Sequence, residues 1–391
     1  MTASTFMTLA LAEAELARGR TAPNPPVGAV LVRDGQVIGR GHTQPPGGPH
    51  AEVMALRQAG PLAGGSTLYV TLEPCCHYGR TPPCTNAVIA AGVASVVVAV
   101  EDPNPLVAGK GLARLRASGV TIRLHDGLDE ASRLLRPFFK HVRTGLPYVT
   151  VKWAMTLDGR ISSRTGDARW ISGREALLWA HRLRDAVDAV LVGVGTVVAD
   201  DPRLTVRLSL EELVVRDSRP QGPLRVVLDS HCRLPLHAAL LSPELAAHTL
   251  LFATKRATTA ACSAVVATGA EVCIVAADTT GRVDVRVALE QLGRRGLLHV
   301  LVEGGAEVHA SVLEHGLADE VAVVVAPKLI GGRDAPGPVG GRGTERLTDA
   351  LTLEHVRTLP LGEDYLIEGR LPPDGRLAAR SPVSGVLHRG G

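Results

Sequence analysis

Apolar positions in this chain change period many times, and the changes divide it into short helices and strands in alternation. Residues 6–17 place their apolar side chains at helical spacing, and 23–26, with three prolines, read as extended loop. The runs 27–32 and 36–41 read as strands joined by Arg33-Asp34-Gly35, a good hairpin signal. Val53, Ala55 and Leu56 give 50–59 the spacing of a helix that opens after Pro49. Residues 66–72 then read as a short buried strand, 85–91 as a helix behind Pro82-Pro83, and 93–100 and 120–125 as further apolar strands.

A second series follows. Strands are predicted at 147–154, 188–194, 225–229, 249–253, 271–275, 297–302 and 320–325, with helical patterns such as 174–187 between them. The break between the series falls near 136–147, where Phe138-Phe139-Lys140 gives way to Thr144-Gly145-Leu146-Pro147. The pattern predicts an α/β protein of two domains, 1–145 and 146–370, each with enough elements for its own core. Residues 211–223 read as an exposed loop, and 371–391, rich in Gly, Ser, Pro and Arg, as a disordered tail.

Composition narrows the function classes. Hydrophobic content of 45% and charged content of 21% are those of an ordinary soluble protein. A net charge of +3 over 391 residues gives no electrostatic case for a nucleic-acid partner, and 3% aromatics leave few surfaces on which bases could stack. No apolar run approaches the ~20 residues of a membrane span. Glu13, Glu15 and Arg18 interrupt the N-terminal helix pattern, so no secretion signal is expected. The six cysteines, three of them clustered, suit a reducing cytoplasm better than a disulfide framework.

The cluster is where the chemistry lies. His50-Ala51-Glu52 opens the predicted helix, and Glu73-Pro74-Cys75-Cys76-His77-Tyr78-Gly79-Arg80-Thr81-Pro82-Pro83-Cys84 follows the strand at 66–72. One imidazole and two thiolates leave zinc an open fourth position, and a carboxylate that is not a ligand can move protons there. Zinc deaminases carry H-x-E followed by P-C-x-x-C; here the first half fits and the second cysteine is delayed. Cys84 stands at a predicted helix start, which should lower its thiol pKa. A closed structural site is the alternative, with Cys76 or His77 as fourth ligand. Residue type and order favour zinc on His50, Cys75 and Cys84 with Glu52 as proton shuttle. His77 and Arg80, inside the loop between the cysteines, are candidates for substrate contact, the phosphate end suiting Arg80.

These motifs, with Pro23-Asn24-Pro25-Pro26-Val27-Gly28 and Asp102-Pro103-Asn104-Pro105-Leu106-Val107-Ala108-Gly109-Lys110-Gly111, resemble those of the bifunctional riboflavin-biosynthesis deaminase/reductases. The resemblance implies a cytidine-deaminase-like domain followed by a dihydrofolate-reductase-like one, and contact between Asn24 and a pyrimidine substrate.

In the second half, Gly193-Val194-Gly195-Thr196 and Val302-Glu303-Gly304-Gly305 are strand-to-helix turns that would admit a phosphate. Neither completes a dinucleotide fingerprint. Lys152 in an apolar strand needs a partner, either Asp158 or Glu303. The runs 152–160, 166–171, 193–207 and 302–305 extend the resemblance over the reductase half. It implies NADPH bordered by Ala154, Trp170, Thr196 and Asp200, with Gly304, Gly305, Ala306, Glu307 and Val308 on its phosphates. It also implies substrate held by Ala168, Arg184, Leu204, Arg207 and Glu303, and reductase catalysis by Lys152, Asp200 and Glu303. The implied partner is a small pyrimidine ribose phosphate, with no nucleic acid and no membrane; homo-oligomer formation stays open. Two other readings remain: a deaminase of nucleosides or nucleic acid, and a zinc-stapled binding protein.

Overall fold

The computed structural model describes residues 4–209, 211–213 and 222–372. Its first helix, α1 (Thr5–Ala17), starts where the Ser4 hydroxyl accepts from the Met7 amide, and buries Met7, Ala10, Ala14 and Ala17. Strands β1 (Gly28–Arg33) and β2 (Gln36–His42) form the expected hairpin. Asp34 and Gly35 take φ of 50° and 75°, the left-handed pair that such a turn requires. A Cβ on Gly28 would stand 1.9 Å from the Ala10 carbonyl oxygen, so α1 lies on β1 because glycine is there.

After β2 come α2 (Ala51–Ala59), β3 (Thr67–Leu72), α3 (Cys84–Ala90), β4 (Ser95–Val100), α4 (Lys110–Ala117), β5 (Thr121–Leu124) and α5 (Leu128–Thr144). The strands make one sheet in the order β2-β1-β3-β4-β5, antiparallel in the hairpin and between β1 and β3, parallel from β3 to β5. Alternate side chains enter two cores. Ala29, Leu31, Val96 and Val98 face one, and Val30, Val32, Val97 and Ala99 the other. A sheet covered on both faces explains why these strands read as unbroken apolar runs.

Helices α4 and α5 were not foreseen. Residues 136–144, read as the break between the halves, are the end of α5, with Pro137 inside it and Gly145 closing it at φ 72°. Ala131, Leu134, Leu135 and Phe138 form its buried face.

The second series is β6 (Tyr148–Thr156), α6 (Arg174–Asp185), β7 (Ala189–Gly193), α7 (Val194–Asp200), β8 (Leu224–Leu228), β9 (Thr249–Ala253), α8 (Thr259–Ala267), β10 (Glu271–Ile274), α9 (Val285–Arg294), β11 (His299–Gly304), α10 (Ala306–Glu314), β12 (Glu320–Ala326), β13 (Glu354–Leu361) and β14 (Asp364–Arg370). Its sheet runs β10-β9-β8-β7-β11-β6-β12-β14-β13. The hairpin of β13 and β14 escaped the sequence reading because β13 is exposed along nearly its whole length and shows no alternation. The loop expected at 211–223 falls largely outside the described residues, and so does the tail expected at 371–391, of which Leu371 and Pro372 are described.

Packing groups the chain into two compact units: the stretch up to Tyr148 with Ala180–Val190 and Pro202–Val300, and Val149–Trp179 with Leu191–Asp201 and the chain from Leu301 on. Within the first unit Leu298, from the second series, belongs to the same buried core cluster as Val27, Ala29 and Leu31. The earlier half therefore does not complete its core with its own residues alone.

Candidate functional site

His50 is the N-cap of α2, with extended φ and ψ, and Glu52 follows inside the first turn. Cys75 lies beyond β3, and Cys84 is the first residue of α3. The three candidate ligand atoms lie within 4.8 Å of one another. His50 Nδ1 is 3.2 Å from Cys84 Sγ and 3.6 Å from Cys75 Sγ. Thr81 Oγ1 stands 3.4 Å from the other ring nitrogen, so a proton on Nε2 donated to Thr81 leaves Nδ1 as a lone pair facing the sulfurs. Cys76 and His77, the proposed fourth ligands of a closed site, are not part of this group. This donor set, one imidazole and two thiols, fits a catalytic zinc.

Electrostatics separate the roles. Burial pushes the Glu52 carboxyl up to about 7, with Cys75 adding to it, which suits a group that takes and returns a proton near neutrality. The Cys84 amide donates to Cys75 Sγ at 3.3 Å. Cys75 is held down to about 4, chiefly by a hydrogen bond from the Cys84 side chain, while the Cys84 thiol is pushed up by the same pairing. The helix start expected to favour a Cys84 thiolate thus serves Cys75, because its free amide points there.

Around this centre the candidates differ. His77 Nδ1 is buried without a partner, whereas Arg80 is exposed. Asn24 is half-buried in a turn closed by its amide on the Thr21 carbonyl and by the Thr21 hydroxyl on its own carbonyl. Glu73 was missed. Its buried carboxylate accepts from the amides of Asp102, Gly109, Gly111 and Leu112, tying the 102–112 segment to the end of β3. Its position just before Pro74-Cys75 was the only available signal.

In the second series the two glycine turns meet. A Cβ on Gly304 would lie 2.9 Å from Thr196 Oγ1, and one on Gly193 2.9 Å from Val308 Cγ2. Gly305, at φ 88°, is the N-cap of α10 and has no side chain of its own to cap the helix; Ala306, Glu307 and Val308 form the first turn, with the Val308 amide donating to the Gly305 carbonyl. Such a cradle fits a phosphate. Asp200 ends α7 and Asp201 closes it in the left-handed conformation, so the pair caps no following helix. Arg169 donates to the Asp200 carbonyl, and Lys328 Nζ to that of Trp170, whose ring is exposed. Ala168 is half-buried nearby in sequence, and Ala154 packs against the core cluster of Ala176, Ala322, Val324 and Leu366.

Of the two acids considered for Lys152, Asp158 is engaged by the Thr156 hydroxyl and the amides of Ile330 and Gly331. Burial holds the His309 imidazole below its ordinary pKa, and the charges of Lys152 and Glu303 act on it with opposite signs, the first lowering and the second raising it. In the first packing unit, Arg184 Nη1 donates to the Thr205 carbonyl, and the Arg207 amide to His181 Nδ1. Leu204 between them is buried with φ 49°.

Comparison with known proteins decides the family. Residues 1–100 match the cytidine and deoxycytidylate deaminase zinc-binding region, and residues 147–367 the RibD C-terminal domain. Riboflavin biosynthesis protein RibD of Aquifex aeolicus is 41% identical over 362 residues, 93% of this chain and 96% of that one. The Escherichia coli protein of that name is 40% identical over 93% of this chain and 97% of its own. The chain belongs to the RibD family.

Solved structures of similar proteins match over most of the chain. Acinetobacter baumannii RibD superposes with a TM-score of 0.80 at 37% identity, covering 94% of this chain and 98% of that one. A Thermotoga maritima diaminohydroxyphosphoribosylaminopyrimidine deaminase/5-amino-6-(5-phosphoribosylamino)uracil reductase gives 0.78 at 33%, with the same coverage. The expected fold class holds: a cytidine-deaminase-like region followed by a RibD reductase domain. This member of the family is a bifunctional enzyme of riboflavin biosynthesis, a zinc-dependent deaminase and an NADPH-dependent reductase acting on small molecules. No helix among the described residues is long and apolar enough to cross a membrane.

Proposed function

We propose that residues 1–145 deaminate 2,5-diamino-6-(5-phosphoribosylamino)pyrimidin-4(3H)-one and that 146–370 reduce the ribosyl chain of the resulting 5-amino-6-(5-phosphoribosylamino)uracil to ribityl. The observation that carries the first half is the buried Glu52 carboxyl beside a cluster in which the ligand atoms of His50, Cys75 and Cys84 lie within 4.8 Å of one another. His50, Cys75 and Cys84 hold zinc, which supplies the Lewis acidity that makes water a nucleophile near neutral pH. Glu52 would pass the first proton of the water to the ring nitrogen as the C–O bond forms, and the second, from the added hydroxyl, to the amine as the C–N bond breaks and ammonia leaves. Asn24 and His77 orient the pyrimidine, and Arg80 meets the phosphate.

In the second half Gly304, Gly305, Ala306, Glu307 and Val308 seat the cofactor phosphates, with Ala154, Trp170, Thr196 and Asp200 beside the nicotinamide, which supplies the reducing equivalents. Ala168, Arg184, Leu204 and Arg207 hold the substrate, the arginines at its phosphate. Lys152 and Glu303 serve the proton transfers at the opening sugar, and Asp200 keeps the nicotinamide in register. The enzyme works in the cytoplasm, apart from nucleic acid and membranes; its free cysteines suit that compartment. Ammonia release and NADPH oxidation, assayed separately on one preparation, test the pair. Oxidation that needs no deaminated substrate, or ammonia release from cytidine instead, would refute it.

A further inference from the structure

The turn that carries Asn24 is held by the far half of the chain. Gly19, at φ 67°, lies so close to the end of α6 that a Cβ there would meet the Asp185 carbonyl oxygen at 2.5 Å. Next to it, Arg20 Nη2 reaches both carboxylate oxygens of Asp185, at 3.1 and 2.9 Å. The two side chains are only 14% and 10% exposed, so this is a largely desolvated pair, and losing one partner strands the other's charge. Three residues on, Pro23 sits against the turn between α9 and β11. A Cβ on Gly296, itself at φ 81°, would lie 3.0 Å from the Pro23 ring. Gly293 abuts the Gly145 carbonyl in the same way, and Leu298 is buried in the same core cluster as Val27.

Between these anchors the chain is stiff. Asn24 and Thr21 close on each other through two hydrogen bonds, so Asn24 moves with Arg20 and Pro23. The position is also the right one. β1 runs antiparallel to β3, and the Gly28 amide meets the Thr71 hydroxyl near the end of β3. Residues just before β1 therefore emerge at the edge of the sheet from which β3 leads to Cys75.

We infer that the end of α6 and the α9–β11 turn are positioning elements for the deaminase: by fixing Arg20 and Pro23 they aim Asn24, so reductase-half residues set the affinity of the deaminase site. The inference rests on Asn24 being a substrate contact. Preorganising such a contact affects how tightly substrate is held more than how fast the held substrate reacts.

The test uses full-length, zinc-loaded enzyme and steady-state ammonia release by Arg20→Ala, Gly296→Ala, Arg20→Lys and Asn24→Ala. Arg20→Ala and Gly296→Ala should each raise the deaminase KM about tenfold, the usual size of coupling between sites, with kcat little changed. Zinc content and NADPH oxidation with deaminated substrate should stay at parental values, and Arg20→Lys should recover most of the affinity. If Asn24→Ala raises KM while Arg20→Ala and Gly296→Ala do not, the positioning role is wrong. If Asn24→Ala leaves KM unchanged, the substrate assignment fails and takes the inference with it. Parallel losses in both activities would mean general destabilisation and would also overturn it.

Discussion

The deaminase centre is compact in sequence and the reductase site is dispersed. His50, Glu52, Cys75 and Cys84 span 35 positions, and each brings a functional group that zinc chemistry requires. The proposed reductase residues run from Lys152 to Val308, and several contribute mainly backbone: the glycines of two turns and the first amides of α10. Metal chemistry selects side chains, whereas a phosphate cradle selects the absence of side chains. Substitutions should accordingly act in opposite senses, by deletion of a group at the first site and by addition of one at the second.

The largest effect is expected where a ligand is removed. Cys75→Ser and Cys84→Ser should lose the bound zinc and with it ammonia release, whereas Cys76→Ser, which alters a side chain outside the cluster, should keep both. Elemental analysis of the three proteins checks this; equal zinc loss in Cys76→Ser would show a closed site. Adding a methyl group should matter less and elsewhere. In Gly304→Ala the new Cβ must push Thr196 aside, and the KM for NADPH should rise about tenfold, a change of ~1.4 kcal/mol, with deamination unchanged. Unaltered NADPH affinity would remove this turn from the cofactor site.

A smaller effect, on stability alone, should come from His299. Burial, helped by the charges of Arg18 and Lys140, holds its imidazole down to about 3 against an ordinary 6.5. The unfolded chain takes a proton that the folded chain refuses, so this contribution is complete above pH 6.5 and is lost as pH falls from there toward 3. The slope approaches ~1.4 kcal/mol per pH unit at most. Denaturant midpoints between pH 7 and 4 should fall less for His299→Gln than for the parent; parallel curves would mean that His299 is protonated in the fold.

The same contrast explains what the sequence disclosed. Strands covered on both faces and the Asp34-Gly35 hairpin were readable because burial and turn chemistry are local. Helix α5 was missed in part because Pro137 lies within it, and β13 because an exposed edge strand carries no apolar alternation. The zinc cluster was legible as residue types. Glu73 was not, since its partners are backbone amides 29 to 39 positions away, and nothing in a glutamate before proline announces them. Nor did the sequence reveal that Leu298 completes the earlier half's core, because an apolar residue next to a strand fits either side of a domain boundary. For the reductase half, local pattern gave strands and two glycine turns; the residues assigned to it came from family resemblance.

The central claim is that one chain carries two chemically separate reactions, with Glu52 needed only for the first. The most direct measurement is on zinc-replete Glu52→Gln enzyme, in two assays: ammonia release from the diaminopyrimidine substrate, and NADPH oxidation with the deaminated product. Ammonia release should fall by about 10²–10⁴-fold, the range of a lost acid–base group. NADPH oxidation should match the parent, and zinc should remain at one equivalent because Glu52 is not a ligand. Substantial ammonia release, or a matching fall in NADPH oxidation, would contradict the account.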